Sequence, residues 1–437
     1  MRENKKISII CIIIIISILA IAIAVIFKQK TDQILQNKVG QNMSEISRVT
    51  NPIPSTQQVE LNGDFATKFL QMENNKQNMV YSPLSIKYAL NMLKDGAKGN
   101  TKAQIEKVVG NLYMPRYNSI DKTMSFANAI YTRDNYSQYI KDDYKNILMG
   151  KYNAEIKYDK FENAKNVNKW IEDKTLGVIK NMIKDEVVKD PNTKVLLINA
   201  LAVDMDWESP FENKDTEREP FKLADGNIMY ATTLIKETSN ENITYYKDDN
   251  ITSLTMPLKK YEDTQLEFTA IMPNENLEEY INNFTMNKFN DIKEELKPAS
   301  TTQYGIEINI PKFKFEYDLK LKEDLIKMGI TDAFEEDKAD LTNMTYSPLG
   351  LYVDDALHKA DIEFTEKGVK AAATTVIIAK DEATFITENK PIEIKFDKPF
   401  LYVITDKPNG EVWFLGTVYE PLSWEEEQQE YLKRNQM

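Results

Sequence analysis

A single cysteine, Cys11, and a single histidine, His358, stand in a chain of 437 residues. That scarcity excludes Cys/His zinc sites, the two-histidine metalloprotease helix, the CxxC redox pair and any disulfide framework. Glycine narrows the field further: none of the 14 lies in a Gly-x-Ser-x-Gly elbow, a Gly-x-Gly-x-x-Gly turn or a phosphate-binding loop. Lysine and arginine number 55 against 68 acidic residues, so the net charge of −13 gives a surface field that repels phosphate. No nucleic-acid partner, metal or cofactor is expected. Carboxylates are too abundant for the spacing of any pair to discriminate, and a two-carboxylate glycosidase has no positive support. On pattern alone, His358 in Asp354-Asp-Ala-Leu-His-Lys-Ala-Asp361 reads as a structural hydrogen-bonding residue rather than a triad member.

Long apolar runs are also scarce, with one exception. From Ile7 to Phe27 only Ser8 and Ser17 are polar, and at about 1.5 Å per helical residue the run spans roughly 30 Å, one bilayer core. Arg2, Lys5 and Lys6 precede it, which places residues 1–6 in the cytoplasm and the remainder outside. A signal anchor over 7–27 is the expectation. The competing reading is secretion after signal cleavage, because Ala20-Ile-Ala22 and Ala22-Ile-Ala24 carry small-x-small spacing.

Residues 28–57 are polar and include Asn51-Pro-Ile-Pro54, a spacer composition. Beyond it, Leu61, Phe65 and Phe69 share one helical face, and further amphipathic helices are predicted near 85–94, 101–109, 164–182 and 319–328. Strands are predicted at Val195–Val203, Leu266–Met272, Glu307–Phe315, Ile392–Phe396, Leu401–Ile404 and Val412–Val418. Helices dominate the first half and strands the second, which makes residues 58–421 one α+β domain. The tail 422–437, with Trp424-Glu-Glu-Glu427, reads as a solvated end.

One segment departs from ordinary patterning. Between Gly368 and Lys390 there is no glycine or proline, and Ala371-Ala-Ala-Thr-Thr-Val-Ile-Ile-Ala379 is uncharged and strand-competent. Left exposed, it is an aggregation hazard. One strand register holds Val369, Ala371, Ala373, Thr375, Ile377 and Ala379; the other holds Lys370, Ala372, Thr374, Val376, Ile378 and Lys380. The first face suits a core, and the second, with both lysines, suits solvent.

This region, Glu366-Lys-Gly-Val-Lys-Ala-Ala-Ala-Thr-Thr375, resembles the hinge of the serpin family, and Ile394-Lys-Phe-Asp-Lys-Pro-Phe-Leu-Tyr-Val-Ile404 resembles its C-terminal signature. Asn78-Met-Val-Tyr-Ser-Pro-Leu-Ser-Ile86, Gly96-Ala-Lys-Gly-Asn-Thr101, Asn168-Lys-Trp170, Leu197-Ile-Asn199, Trp207, Ile310-Pro-Lys312 and Gly329-Ile-Thr-Asp-Ala-Phe334 match at the expected spacing. The resemblance implies three β-sheets, about nine helices and an exposed reactive-centre loop, in a membrane-anchored or exported, bacterial, monomeric member. It implies a suicide-substrate inhibitor of an extracellular serine protease, or of a cysteine protease, that traps the acyl-enzyme by inserting the cleaved loop into the central sheet. The alternative is a non-inhibitory serpin acting as a surface binding protein.

By the same resemblance, the hinge comprises Glu366, Gly368, Val369, Ala371, Ala372, Ala373, Thr374 and Thr375. Ser82, Ser85, Asn199 and His358 match a buried polar cluster under the sheet opening, and Trp207, Lys312 and Glu366 match its upper end. Val369 and Lys370 depart from the family, where Thr or Ser and then an acid are usual, and Val203-Asp-Met-Asp206 replaces the usual residues before Trp207. Counting from the hinge places the bait bond at Glu382-Ala383. The loop is about six residues longer than in typical relatives, and the count back from Phe400 gives Glu388. Lys380, Asp381 and Phe385 would each suit a different protease pocket.

Overall fold

Ser82 opens the first helix that positions the site, because its hydroxyl accepts the Ser85 amide at 3.1 Å and Pro83 follows at the position where a missing amide costs nothing. In the computed structural model, which describes residues 65–110, 114–347, 350–370 and 390–434, that helix runs Pro83–Gly96 and is buried along most of its length. It packs against strands of two of the three sheets. One has the order β1 (Met79–Tyr81), β17 (Val412–Val418), β16 (Phe400–Asp406), β9 (Leu266–Pro273), β8 (Ile251–Pro257), β7 (Thr244–Lys247) and β10 (Lys297–Pro298). The second is β15 (Ile392–Lys395), β11 (Ile306–Pro311), β6 (Ile228–Thr238) and β5 (Thr216–Lys222). The third is β12 (Phe313–Lys320), β13 (Leu357–Phe364), β14 (Gly368–Lys370), β4 (Val195–Asp206), β2 (Met124–Arg133) and β3 (Ala154–Asp159). All described residues belong to one unit, 56–437.

The six-stranded sheet is covered on both faces. Leu201, Val203 and Met205 of β4 and Ala360, Ile362 and Phe364 of β13 enter the main core. Ile198 and Ala200 of β4 face the other way, into a second cluster with Val167, Trp170 and Ile171 of helix Lys165–Lys174. That helix stops well short of residue 182 because Leu176 and Gly177 adopt left-handed φ angles of 57° and 80°. The chain then doubles back, and Asn168 pins it by exchanging hydrogen bonds with the backbone of Ile183 at 2.7 and 2.8 Å.

Two expectations need correction. The first half holds more strand than expected, since β2 and β3 precede the predicted strand that becomes β4. The predicted 307–315 strand is two strands, β11 and β12, separated at Lys312. Among the described residues no helix is long and apolar enough to cross a membrane. The 7–27 run, its cytoplasmic flank and the 28–57 spacer lie outside the described residues, as do 371–389.

Candidate functional site

In the six-stranded sheet β14 stands between β4 and β13, and among the described residues no ladder joins those two strands directly. β14 is antiparallel to both, with Val369 opposite Met205 on one side and Phe364 on the other. The matched hinge therefore starts inside the sheet rather than in an exposed loop, and Val369 is buried in the main core. Below it the space between the strands continues. A narrow gap of about 10 Å³ lies among Leu201, Val203, Ala360, Ile362 and Val369. A cavity of about 200 Å³ follows, lined by Leu197, Asn199, Leu357 and His358 among others.

The upper end is fixed by a tight turn. Thr365 accepts the Lys367 and Gly368 amides at 3.3 Å each and donates its hydroxyl to the Gly368 carbonyl at 3.1 Å. Gly368 is required by close approach, because a Cβ there would meet the Met205 carbonyl oxygen at 1.9 Å. Trp207, 1% exposed, donates its backbone amide to Lys367 at 2.6 Å and its indole to Thr365 at 2.9 Å, and its ring packs on Phe364 and Phe268. The unusual residues before Trp207 are accommodated: Val203 and Met205 fill the core, while Asp204 and Asp206 are partly exposed.

Lys312 and Glu366 meet at 3.1 Å with side chains only 3% exposed, so they are a buried pair and not a surface one. A third residue joins them. Glu427 binds the same ammonium at 2.8 Å, itself 5% exposed, and Thr216 donates to Glu366 at 3.0 Å. This corrects the expectation of a solvated tail. Leu422 first docks like a strand, its amide bonding the Lys312 carbonyl at 2.8 Å and its carbonyl accepting from Thr232 at 3.0 Å. Ser423 and Glu426 then form a reciprocal cap at 3.2 Å each way, and the helix Trp424–Arg434 turns Glu427 inward.

The lower end gathers the polar residues matched from sequence, though not in one chain. His358 of β13 accepts the Ser82 amide at 3.0 Å. Asn199 of β4 accepts from the Ser85 hydroxyl and donates to Asn128 at 2.8 Å, and Asn128 donates to the Tyr152 carbonyl at 2.8 Å. Both strands are thus held to the start of one helix. Burial alone lowers the His358 pKa from 6.5 to about 4, so it is neutral at physiological pH. An unfolded histidine takes up its proton at higher pH than this one. The stability it contributes is therefore present above about pH 6.5 and is lost as pH falls towards 4, on the order of 3 kcal/mol in all. Urea unfolding of the wild type and His358→Gln at pH 7.5 and pH 4 should show their difference shrinking by about that amount. On the outer face, burial followed by the nearby Glu316 and Glu363 charges raises Asp361 to about 6. Its titration opposes that of His358, which is why the difference between the two proteins is the quantity to measure.

Glu382, Ala383 and Ala371, Ala372, Ala373, Thr374 and Thr375 lie outside the described residues. Sequence reasoning missed Thr365, Asn128 and Glu427. The Ser423-x-x-Glu426 spacing was the available sign of a helix start, and nothing in the run Ala127-Asn-Ala129 marks Asn128 as a network member.

A family model described as serpin, serine protease inhibitor, matches residues 60–421. A serpin-like protein of Methanosarcina acetivorans is 28% identical over 377 residues, covering 81% of this chain and 83% of its own length. Leukocyte elastase inhibitor A of Rattus norvegicus is 28% identical over 369 residues, 79% of this chain and 93% of its own. The thermophilic serpin tengpin in its native state gives a TM-score of 0.71 at 29% identity, covering 85% of this chain and 95% of tengpin. Its latent state gives 0.69 at the same identity, covering 86% and 100%. With Ser82, Ser85, Asn199, His358, Trp207, Lys312 and Glu366 set around one opening in the six-stranded sheet, and the family model matching most of the chain, the chain belongs to the serpin family.

Proposed function

We propose that this serpin is a suicide-substrate inhibitor of extracellular serine proteases, with cysteine proteases as a secondary class. The observation that carries the reading is the register of β14. Continued two residues at a time, it would bring Ala371 opposite Val203 and Ile362, Ala373 opposite Leu201 and Ala360, and Thr375 opposite Asn199 and His358. Each inward residue of the loop is small or apolar, and the one polar member would arrive at the polar end of the slot. Ala379 would lie opposite Val195, where β4 begins.

That depth favours Glu382-Ala383 as the bait bond. The protease serine attacks the Glu382 carbonyl, the Ala383 amine leaves, and the acyl-enzyme is carried to the far end of the slot. Cleavage at Glu388 would leave about six more residues, roughly 20 Å of slack, between sheet and enzyme. A glutamate-preferring or a tolerant subtilisin-like protease is the target class. The apolar 7–27 run would anchor the inhibitor in the cell membrane with its serpin domain outside on the 28–57 spacer, or leave it secreted once cleaved.

The test is incubation with a panel of serine proteases followed by denaturing electrophoresis. A covalent complex and a released fragment beginning at Ala383 are expected. Complete cleavage with no complex from any protease would overturn the reading.

A further inference from the structure

The C-terminal helix lies beyond the residues the family model matches, yet it supplies the shorter of the two bonds to Lys312. Lys312 immediately precedes β12, and Glu366 lies in the turn between β13 and β14. Their ion pair therefore ties together the tops of the two strands that flank one side of the slot. Glu427 extends that tie to the tail. The tail is in turn fixed to the four-stranded sheet, through the Thr232 amide on the Leu422 carbonyl and a bridge between Ala231 and Ser423. The β12–β13 side of the slot is thus tied through the tail to the four-stranded sheet.

We propose that Glu427 is a positioning residue for the hinge: by holding Lys312 against Glu366 it slows the entrance of the uncut loop into the slot. The proposal rests on the inhibitor reading for its biological meaning, but the conversion it governs is read separately. Without Glu427, Lys312 keeps one carboxylate, and the ion pair left to the tail helix among the described residues is the exposed one between Arg218 and Glu425 at 3.5 Å. The clasp then opens more often, and the intact molecule spends itself without meeting a protease. Cutting or displacing the tail would have the same effect.

The experiment uses the full chain with Glu427→Gln, Glu427→Ala and Glu427→Lys, incubated uncut at 37 °C. Conversion is followed by the appearance of a species that resists urea unfolding, a readout that needs no protease. Glu427→Ala should convert about tenfold faster than the wild type, since it removes a buried charged acceptor. Glu427→Lys should convert faster still, and Glu427→Gln, which keeps an oxygen for Lys312, should stay within about threefold of the wild type. The melting temperature of the loop-cut form should move little in any of them, because its slot is already filled. Equal conversion rates across the series would overturn the proposal. So would equal effects of Gln and Ala accompanied by an equal loss of stability in the loop-cut form, since that pattern marks general packing. Failure of the wild type to trap any protease, with the Glu427 order intact, overturns only the inhibitor reading.

Discussion

Protein nicked once in the 371–389 segment should melt at least about 10 °C above the uncut protein. The expected gain comes from one new strand entering between β4 and β13, where both neighbours have backbone groups facing the slot. Each added hydrogen bond contributes about 0.5–1.5 kcal/mol net, and burial adds about 25 cal/mol per Å². A strand reaching from Gly368 to the level of Val195 makes enough of both for a total on the order of 10 kcal/mol. In a domain of this size that corresponds to a shift of more than 10 °C, near the lower end of the usual per-kcal response. Scanning calorimetry before and after limited proteolysis checks it. An unchanged melting point would mean that the uncut fold is not a kinetic trap.

The second large effect belongs to Ala371→Arg, which should abolish covalent complex formation while leaving loop cleavage intact. In the β14 register residue 371 would face Val203 and Ile362, which are 3% and 2% exposed. The described residues facing that position across the slot, Val203 and Ile362, are apolar, and an unpaired buried charge costs several kcal/mol. Insertion then loses the race with hydrolysis of the acyl bond, and the protein becomes an ordinary substrate. Gel densitometry of complex against cleaved product should fall by more than tenfold. A variant that still forms complex at the wild-type ratio would show that insertion does not follow the observed register.

How far the sequence revealed this arrangement depended on the kind of signal. Strands with strongly apolar composition, such as Val412–Val418, were located to the residue. β2 escaped notice because both of its faces are covered, so Met124–Arg133 shows no alternation. The same covering explains what composition alone misread in the loop. The face holding Ala372, Thr374, Val376 and Ile378 was assigned to solvent, but the corresponding face of β4, Ile198 and Ala200, lies under helix Lys165–Lys174. A strand entering there would be buried on both sides over its middle, which accounts for lysines only at its ends. The ion pair of Lys312 and Glu366 was recognisable by motif, whereas Glu427 was not, since its partner is distant in sequence and the run of acids around it resembles an exposed end.

Helix Pro83–Gly96 carries a mechanical consequence. Its first turn holds β13 through the Ser82 amide and β4 through the Ser85 hydroxyl, so one rod sets the spacing of two rails. Its opposite end is seated at Gly96, where even a methyl group would press to 2.7 Å from Met344 and 3.1 Å from Tyr144. A slight axial displacement at that seat, roughly 20 Å from the rails, is delivered to both of them at once. The width of the opening is thereby calibrated from the far end of the helix rather than at the slot itself.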